Sequence, residues 1–111
     1  MTNRDPVIIK AGNDVIDRLE ALGESVLFLD GYSPYAISIL QKDEKIYRKA
    51  ILVQKNMINQ RGNPRWQTKK QIQNYLKLGF NQVVLVSIDS NTGRQSIVNY
   101  NSKGIMAGKV R

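Results

Sequence analysis

Apolar residues recur with helical spacing near the start of the chain, at Val15, Ile16, Leu19 and Leu22. Asn13 precedes them, and Asn is among the residues preferred at the N-cap of a helix. Gly23 follows them, and glycine commonly ends a helix because it adopts a positive φ without strain. The pattern predicts a first helix over residues 13–23, with residues 7–10 as a short strand or an extended arm before it.

A second helix is predicted over residues 64–78, where the apolar positions again have helical spacing. Pro64 suits the first turn of a helix, and Gly79 suits the position just after its last turn. Short apolar runs between turn residues predict strands elsewhere in the chain. These strands are predicted at residues 25–30, 35–40 and 46–56 before the second helix, and at residues 83–89 and 95–100 after it.

The predicted element order is therefore αβββαββ. Two helices and a mixed or antiparallel sheet define an α/β (α+β) fold. The chain has 111 residues, which is near the commonest domain size, and no linker or repeat divides it. We therefore expect one compact domain over residues 1–111, with flexible ends at residues 1–6 and 101–111.

The composition excludes several kinds of chemistry. The chain has no Cys and no His, so it has neither disulfides, nor cysteine- or histidine-ligated metal sites, nor a histidine general base. Carboxylate and lysine chemistry, a hard metal ion held by oxygen atoms, and binding without catalysis remain possible. No apolar run is long enough to cross a membrane and no secretory signal is evident, which predicts a cytoplasmic protein with no membrane partner.

Charge is distributed unevenly along the chain. Residues 1–44 contain four basic and eight acidic side chains, whereas residues 45–111 contain 13 basic side chains and one acid, Asp89. A block with so few carboxylates repels itself unless a polyanion neutralises it, which favours DNA or RNA as the partner. An acidic protein partner is the alternative, as is a homo-oligomer that pairs the acidic segment of one copy with the basic block of another.

The segment from Gln60 to Lys77 is the strongest candidate interface because it combines cations with Gln and Asn and contains no acid. Lys and Arg contact phosphates, and Gln and Asn hydrogen-bond to sugars or base edges. Trp66 lies off the predicted apolar face and suits stacking on a base, the alternative being a packed tryptophan. The predicted nucleic-acid-binding residues are Arg48, Lys49, Lys55, Arg61, Arg65, Trp66, Lys69, Lys70 and Lys77.

The element order resembles the core of the restriction-endonuclease-like (PD-(D/E)xK) superfamily, in which three antiparallel strands follow a first helix. In that family an Asp after a Pro opens the second strand, and Glu-x-Lys or Gln-x-Lys lies on the third. Here Pro34 and Tyr35 begin the second predicted strand, and Val53, Gln54 and Lys55 end the third. The lysine matches, and both acids are replaced. Residues 70–100 are also similar in pattern to endonucleases common in cyanobacteria.

The resemblance implies a Mg²⁺-dependent nuclease, in which carboxylates hold the metal ion and a lysine helps to activate water. Lys55 and Asp30 are the candidate catalytic residues, and Glu20 or Glu24 would reach the site from the first helix. Because the acids of the motif are missing, the leading prediction is a nucleic-acid-binding protein without catalysis, cofactor or metal site. The Mg²⁺-dependent nuclease is the first alternative. A small interaction, inhibitor or assembly protein encoded by a phage or mobile element is the second.

Overall fold

The computed structural model describes residues 5–29, 34–58 and 63–105 as two helices and six strands. They are α1 (Pro6–Ala21), β1 (Ser25–Phe28), β2 (Ala36–Lys42), β3 (Lys45–Lys55), α2 (Trp66–Lys77), β4 (Gln82–Ile88), β5 (Gln95–Asn101) and β6 (Gly104–Ile105). The strands form one sheet, in which their order in space is their order in sequence. The predicted α/β fold with the order αβββαββ is confirmed, and the short strand β6 extends it.

β3 and β4 run parallel, and every other neighbouring pair of the described strands is antiparallel. The sheet is therefore mixed, and α2 makes the crossover that a parallel pair requires. Lys55 pairs with Ile88 in the register, so β3 and β4 end at the same edge of the sheet. We call this edge the carboxyl edge. α2 begins near it, because the backbone N–H of Arg65 donates to the Met57 carbonyl just beyond β3.

The sheet separates two apolar clusters, one beneath each helix. Successive residues of β3 alternate between them, as the two-residue period of a strand requires. Ile51 and Val53 pack against α1, and Ala50 and Leu52 pack on the α2 side. Because both faces are covered, the centre of β3 is apolar throughout, which is the pattern expected of a central strand.

α1 begins at Pro6, seven residues before the predicted start, so the strand or arm predicted at residues 7–10 is wrong. Asp5 is the N-cap, and its Oδ1 accepts the Val7 N–H at 3.0 Å. Asn13 lies inside the helix, where its side-chain oxygen accepts the Tyr35 hydroxyl at 3.1 Å. Gly12 also faces Tyr35, since a β-carbon at position 12 would overlap the tyrosine ring. Both residues are therefore placed by a tertiary contact and do not start the helix.

α2 begins at Trp66 with Arg65 as its N-cap, and Pro64 instead forms an isolated bridge with Ile58. Gly79 follows the helix with a φ of 102°, as its predicted role requires. Most of the residues predicted to be flexible, 1–4 and 106–111, lie outside the described residues. Pro6 opens α1, and residues 101–105 belong to β5, a turn and β6. Within the described ranges, no helix is long and apolar enough to span a membrane.

Candidate nucleic-acid interface

The solvent face of α2 carries a stripe of cations and one tryptophan. Trp66, Lys70, Gln73 and Lys77 are spaced i, i+4, i+7 and i+11, so at about 100° per residue they lie within about 60° of one another. Lys69 lies beside them, and all five side chains are exposed. These five residues are called the α2 stripe below. No residue of α2 is acidic, and no ion pair joins the stripe to another part of the described chain.

Trp66 is 68% exposed at the start of α2, so the alternative of a tryptophan packed in the core is wrong. The Lys70 ammonium lies 4.1 Å from the centre of the indole ring, within the range of a cation–π contact. The pair holds a positive charge against an exposed aromatic surface. This combination of cation and aromatic platform is typical of proteins that stack bases and bind the phosphates between them.

The carboxyl edge lies beside the first turn of the stripe and is held by hydrogen bonds. The Arg65 Nε donates to the Asn56 carbonyl at 2.6 Å. The Asn56 side chain donates to the Ser90 hydroxyl at 2.9 Å and accepts the Ser90 N–H at 3.1 Å. These contacts join the ends of β3 and β4 to the start of α2. They place the exposed Arg65 guanidinium next to the stripe, and the position of this cation is therefore fixed by the fold.

Lys55 ends β3 on the α1 side of the sheet and forms an ion pair with Asp5, with 2.7 Å between Nζ and Oδ2. The side chains of the pair are 39% and 32% exposed, so both remain in contact with solvent. The Lys55 ammonium, helped by the Val7 N–H, holds the pKa of the Asp5 carboxyl below its usual range. The charge of Lys55 is therefore already balanced by a carboxylate that the predicted set of site residues did not include.

Arg48 and Lys49 point to opposite faces of β3, as neighbours in a strand must. Arg48 lies on the α2 side, where its guanidinium is 6.0 Å from the centre of the Phe80 ring and donates to the Gly79 carbonyl at 3.4 Å. Lys49 lies on the α1 side and forms an ion pair of 2.8 Å with Glu24. The Glu24 carboxylate is buried and also accepts the Ser38 hydroxyl.

The nine predicted binding residues therefore do not form one surface. Arg65, Trp66, Lys69, Lys70 and Lys77 lie on or beside the exposed face of α2, and Arg48 lies on the same side of the sheet. Lys49 is on the opposite side within a largely buried ion pair, and Lys55 is paired at the carboxyl edge. Arg61 lies outside the described residues.

The acids proposed for catalysis do not gather at Lys55 among the described residues. Glu24 binds Lys49, which is six residues, or about 20 Å, from Lys55 along the strand. Glu20 is 15 residues from Asp5 along α1, which is about 22 Å. The restriction-endonuclease-like superfamily has acids at the positions of Tyr35 and Val53. In this chain both residues are fully buried in the core. Asp30 lies outside the described residues.

The described residues hold no group of three or more acidic, histidine or cysteine side chains that could bind a metal ion. Asp5 is the carboxylate that contacts Lys55, although the sequence predicts a flexible segment there. The signal that could have revealed it is local, since Asp followed by Pro is a typical N-cap and first helical residue. Its contact with Lys55, 50 positions away, carries no local signal.

Comparison of this chain with protein-family models, curated proteins and solved structures finds no match. The function is therefore inferred from the arrangement of charged and aromatic side chains on the fold.

Proposed function

We propose that this protein binds nucleic acid through the α2 stripe and Arg65, and that it does so without catalysis. The observation that carries the proposal is the exposed, acid-free face of α2, where three lysines and Trp66 are aligned. Lysines on such a face bind phosphates and release counterions, which is the main source of affinity for nucleic acids. Trp66 adds a surface on which a base can stack.

The two helices have different electrostatic character, which supports a binding face on one side only. The exposed acids of α1 are Asp14, Asp17 and Glu20, against Lys10 and Arg18. α2 carries cations alone. A polyanion is repelled by the carboxylates of α1 and attracted by α2, so the field of the protein orients it before contact.

The length of the stripe fits several successive nucleotides. Trp66 and Lys77 are 11 residues apart in one helix, which is about 16 Å. At a rise of about 3.4 Å per nucleotide in one strand of a duplex, this spans about five phosphates. The stripe therefore reaches more than one phosphate, and the affinity is expected to depend strongly on salt.

Titration of the wild-type protein tests the proposal. Trp66 is the single tryptophan of the chain, so its fluorescence reports directly on the proposed interface. Single-stranded DNA, single-stranded RNA and duplex DNA of about 12 nucleotides are within the range that one small domain covers. We expect quenching that weakens steeply between about 50 and 200 mM salt. If none of the three binds at low salt, the proposal is wrong.

The nuclease alternative has less support. A nuclease site of this kind needs two carboxylates near Lys55. Among the described residues, one carboxylate, that of Asp5, forms an ion pair with this lysine. Incubation of the same labelled oligonucleotides with the protein and Mg²⁺ tests it directly. Cleavage that disappears in Lys55→Ala would replace our proposal with a metal-dependent nuclease.

A further inference from the structure

A cleft of about 480 Å³ separates α2 from the end of β5, next to the α2 stripe. Its walls are apolar where Ile72 and Leu76 face Tyr100, and polar at the rim, where Lys69 and Gln73 lie. The volume and the mixture of apolar walls with a few polar groups are typical of small-molecule sites. Lys69 belongs to both the cleft and the α2 stripe. A ligand in the cleft would therefore lie next to a nucleic-acid strand bound along α2.

The Tyr100 hydroxyl gives the cleft a specific chemical feature. Tyr100 is 5% exposed, and its hydroxyl oxygen has no hydrogen-bond partner among residues 5–29, 34–58 and 63–105. Buried hydroxyls are nearly always paired, so this one is a candidate donor to a ligand in the cleft. A tyrosine hydroxyl is protonated at neutral pH and can donate to an acceptor, and burial raises its pKa further.

We propose that this cleft receives one base of a single-stranded nucleic acid bound along α2, with the Tyr100 hydroxyl donating to an acceptor on the base. The inference rests on the proposed nucleic-acid binding and specifies its substrate class as single-stranded. The apolar walls accept the faces of a planar heterocycle, whose ring and exocyclic atoms include acceptors. The exposed Gln73 amide at the rim offers a further donor and acceptor for the base edge.

The position of Lys69 supports a nucleotide rather than an uncharged ligand. A base inserted between α2 and β5 leaves its phosphate at the rim, where the Lys69 ammonium is available. Lys69 and Gln73 are both exposed and both long, so their side chains can rotate to contact a nucleotide at the rim. A duplex uses this cleft less readily, because a stacked and paired base must first be flipped out of the helix, whereas a base of a single strand need not be.

Tyr100→Phe tests the inference, because it removes one oxygen atom and retains the ring. Loss of an unpaired buried hydroxyl does not harm folding, so the variant is expected to be as stable as the wild type. Tyr47→Phe, at an exposed tyrosine on β3, is the matched control. Homo-oligomers of the four bases, about 12 nucleotides long, and a duplex of the same length are the probes.

We expect Tyr100→Phe to bind at least one single-stranded homo-oligomer about three- to tenfold more weakly, as loss of one hydrogen bond predicts. Binding to the duplex and the salt dependence should not change, and Tyr47→Phe should bind like the wild type. If Tyr100→Phe binds every single strand normally while the wild type still binds in a salt-dependent manner, the cleft inference is wrong and the proposed function stands. If the wild type binds no nucleic acid, the proposed function fails and the cleft inference fails with it.

Discussion

The ring of Tyr35 occupies the space that a side chain at position 12 would fill, so Gly12 and Tyr35 are fitted to each other across the core. Tyr35 is fully buried, and its hydroxyl donates to Asn13 Oδ1 at 3.1 Å and lies 3.3 Å from the Ile9 carbonyl. Glycine within a helix is normally unfavourable. Here it allows α1 to approach the sheet closely over the start of β2.

This contact predicts that Gly12→Ala destabilises the protein, although alanine is the better helix former by about 1 kcal/mol. The added methyl group overlaps a buried ring, and such overpacking costs about 1–3 kcal/mol. The measurement is the urea midpoint of unfolding. Combining the change with Tyr35→Leu should remove most of the additional cost, because the smaller side chain frees the space. A stabilised Gly12→Ala variant would show that the ring adjusts without strain.

A second prediction concerns the salt dependence of nucleic-acid binding. Lys69→Ala with Lys70→Ala removes two phosphate contacts, so the slope of log K against log salt for duplex DNA should become shallower by about 1.8. The fold should be retained, because exposed lysines in a helix contribute little to stability. The matched control is Lys10→Ala with Lys42→Ala, which removes the same charge from exposed positions outside α2. An equal effect of both pairs would mean that only the net charge matters.

Trp66 should contribute to binding of single strands and hardly at all to stability. Its indole is largely exposed, so Trp66→Ala is expected to leave the unfolding midpoint nearly unchanged. Base–aromatic stacking contributes about 1–3 kcal/mol. The affinity of the variant for single strands should therefore fall by a factor of about five or more. Anisotropy of labelled oligonucleotides measures this without the tryptophan signal. Unchanged affinity for every single strand would exclude stacking on Trp66.

The ion pair between Lys49 and Glu24 should matter for stability and not for nucleic-acid binding. Lys49→Met removes the cation beside the buried Glu24 carboxylate and leaves its hydrogen bond with the Ser38 hydroxyl. Removing one partner of a buried ion pair typically lowers the free energy of unfolding by about 3–5 kcal/mol. Replacing both residues with Met and Leu should restore much of the loss, because an apolar pair needs no desolvation of charge. Chemical denaturation gives the stabilities of both variants. A shallower salt slope in the double variant would instead place Lys49 in the binding face.

Stability should fall in acid partly through Asp5. The pKa of its carboxyl is depressed in the folded protein, so the folded state binds its proton less readily than the unfolded chain, where the pKa is about 3.9. The contribution of Asp5 is therefore complete above the unfolded pKa and is lost as the pH falls through the folded pKa. Asp5→Asn keeps an N-cap residue and removes the titrating charge. The difference in urea midpoint between wild type and Asp5→Asn should shrink below about pH 4, and a constant difference would contradict this account.

Patterns between residues close in sequence predicted the order of helices and strands, because periodicity and turn residues act locally. The start of α1 was missed because Asn13 resembles an N-cap in sequence, and its contact with Tyr35 explains why it lies inside the helix. The separation of Arg48 from Lys49 follows from the two-residue period of a strand and was predictable. The cleft was not predictable from the sequence, because Lys69 and Tyr100 come together only when β5 packs beneath α2.

The sheet order, in which each described strand pairs with its neighbours along the chain, also has a consequence for how the protein folds. Hairpins between consecutive strands close short loops, and only the pairing of β3 with β4 must wait for an intervening helix. Proteins dominated by such short-range pairings fold faster than those whose strands interleave. During synthesis, α1 and the first three strands can therefore assemble as a unit while α2 and the last three strands are still emerging from the ribosome.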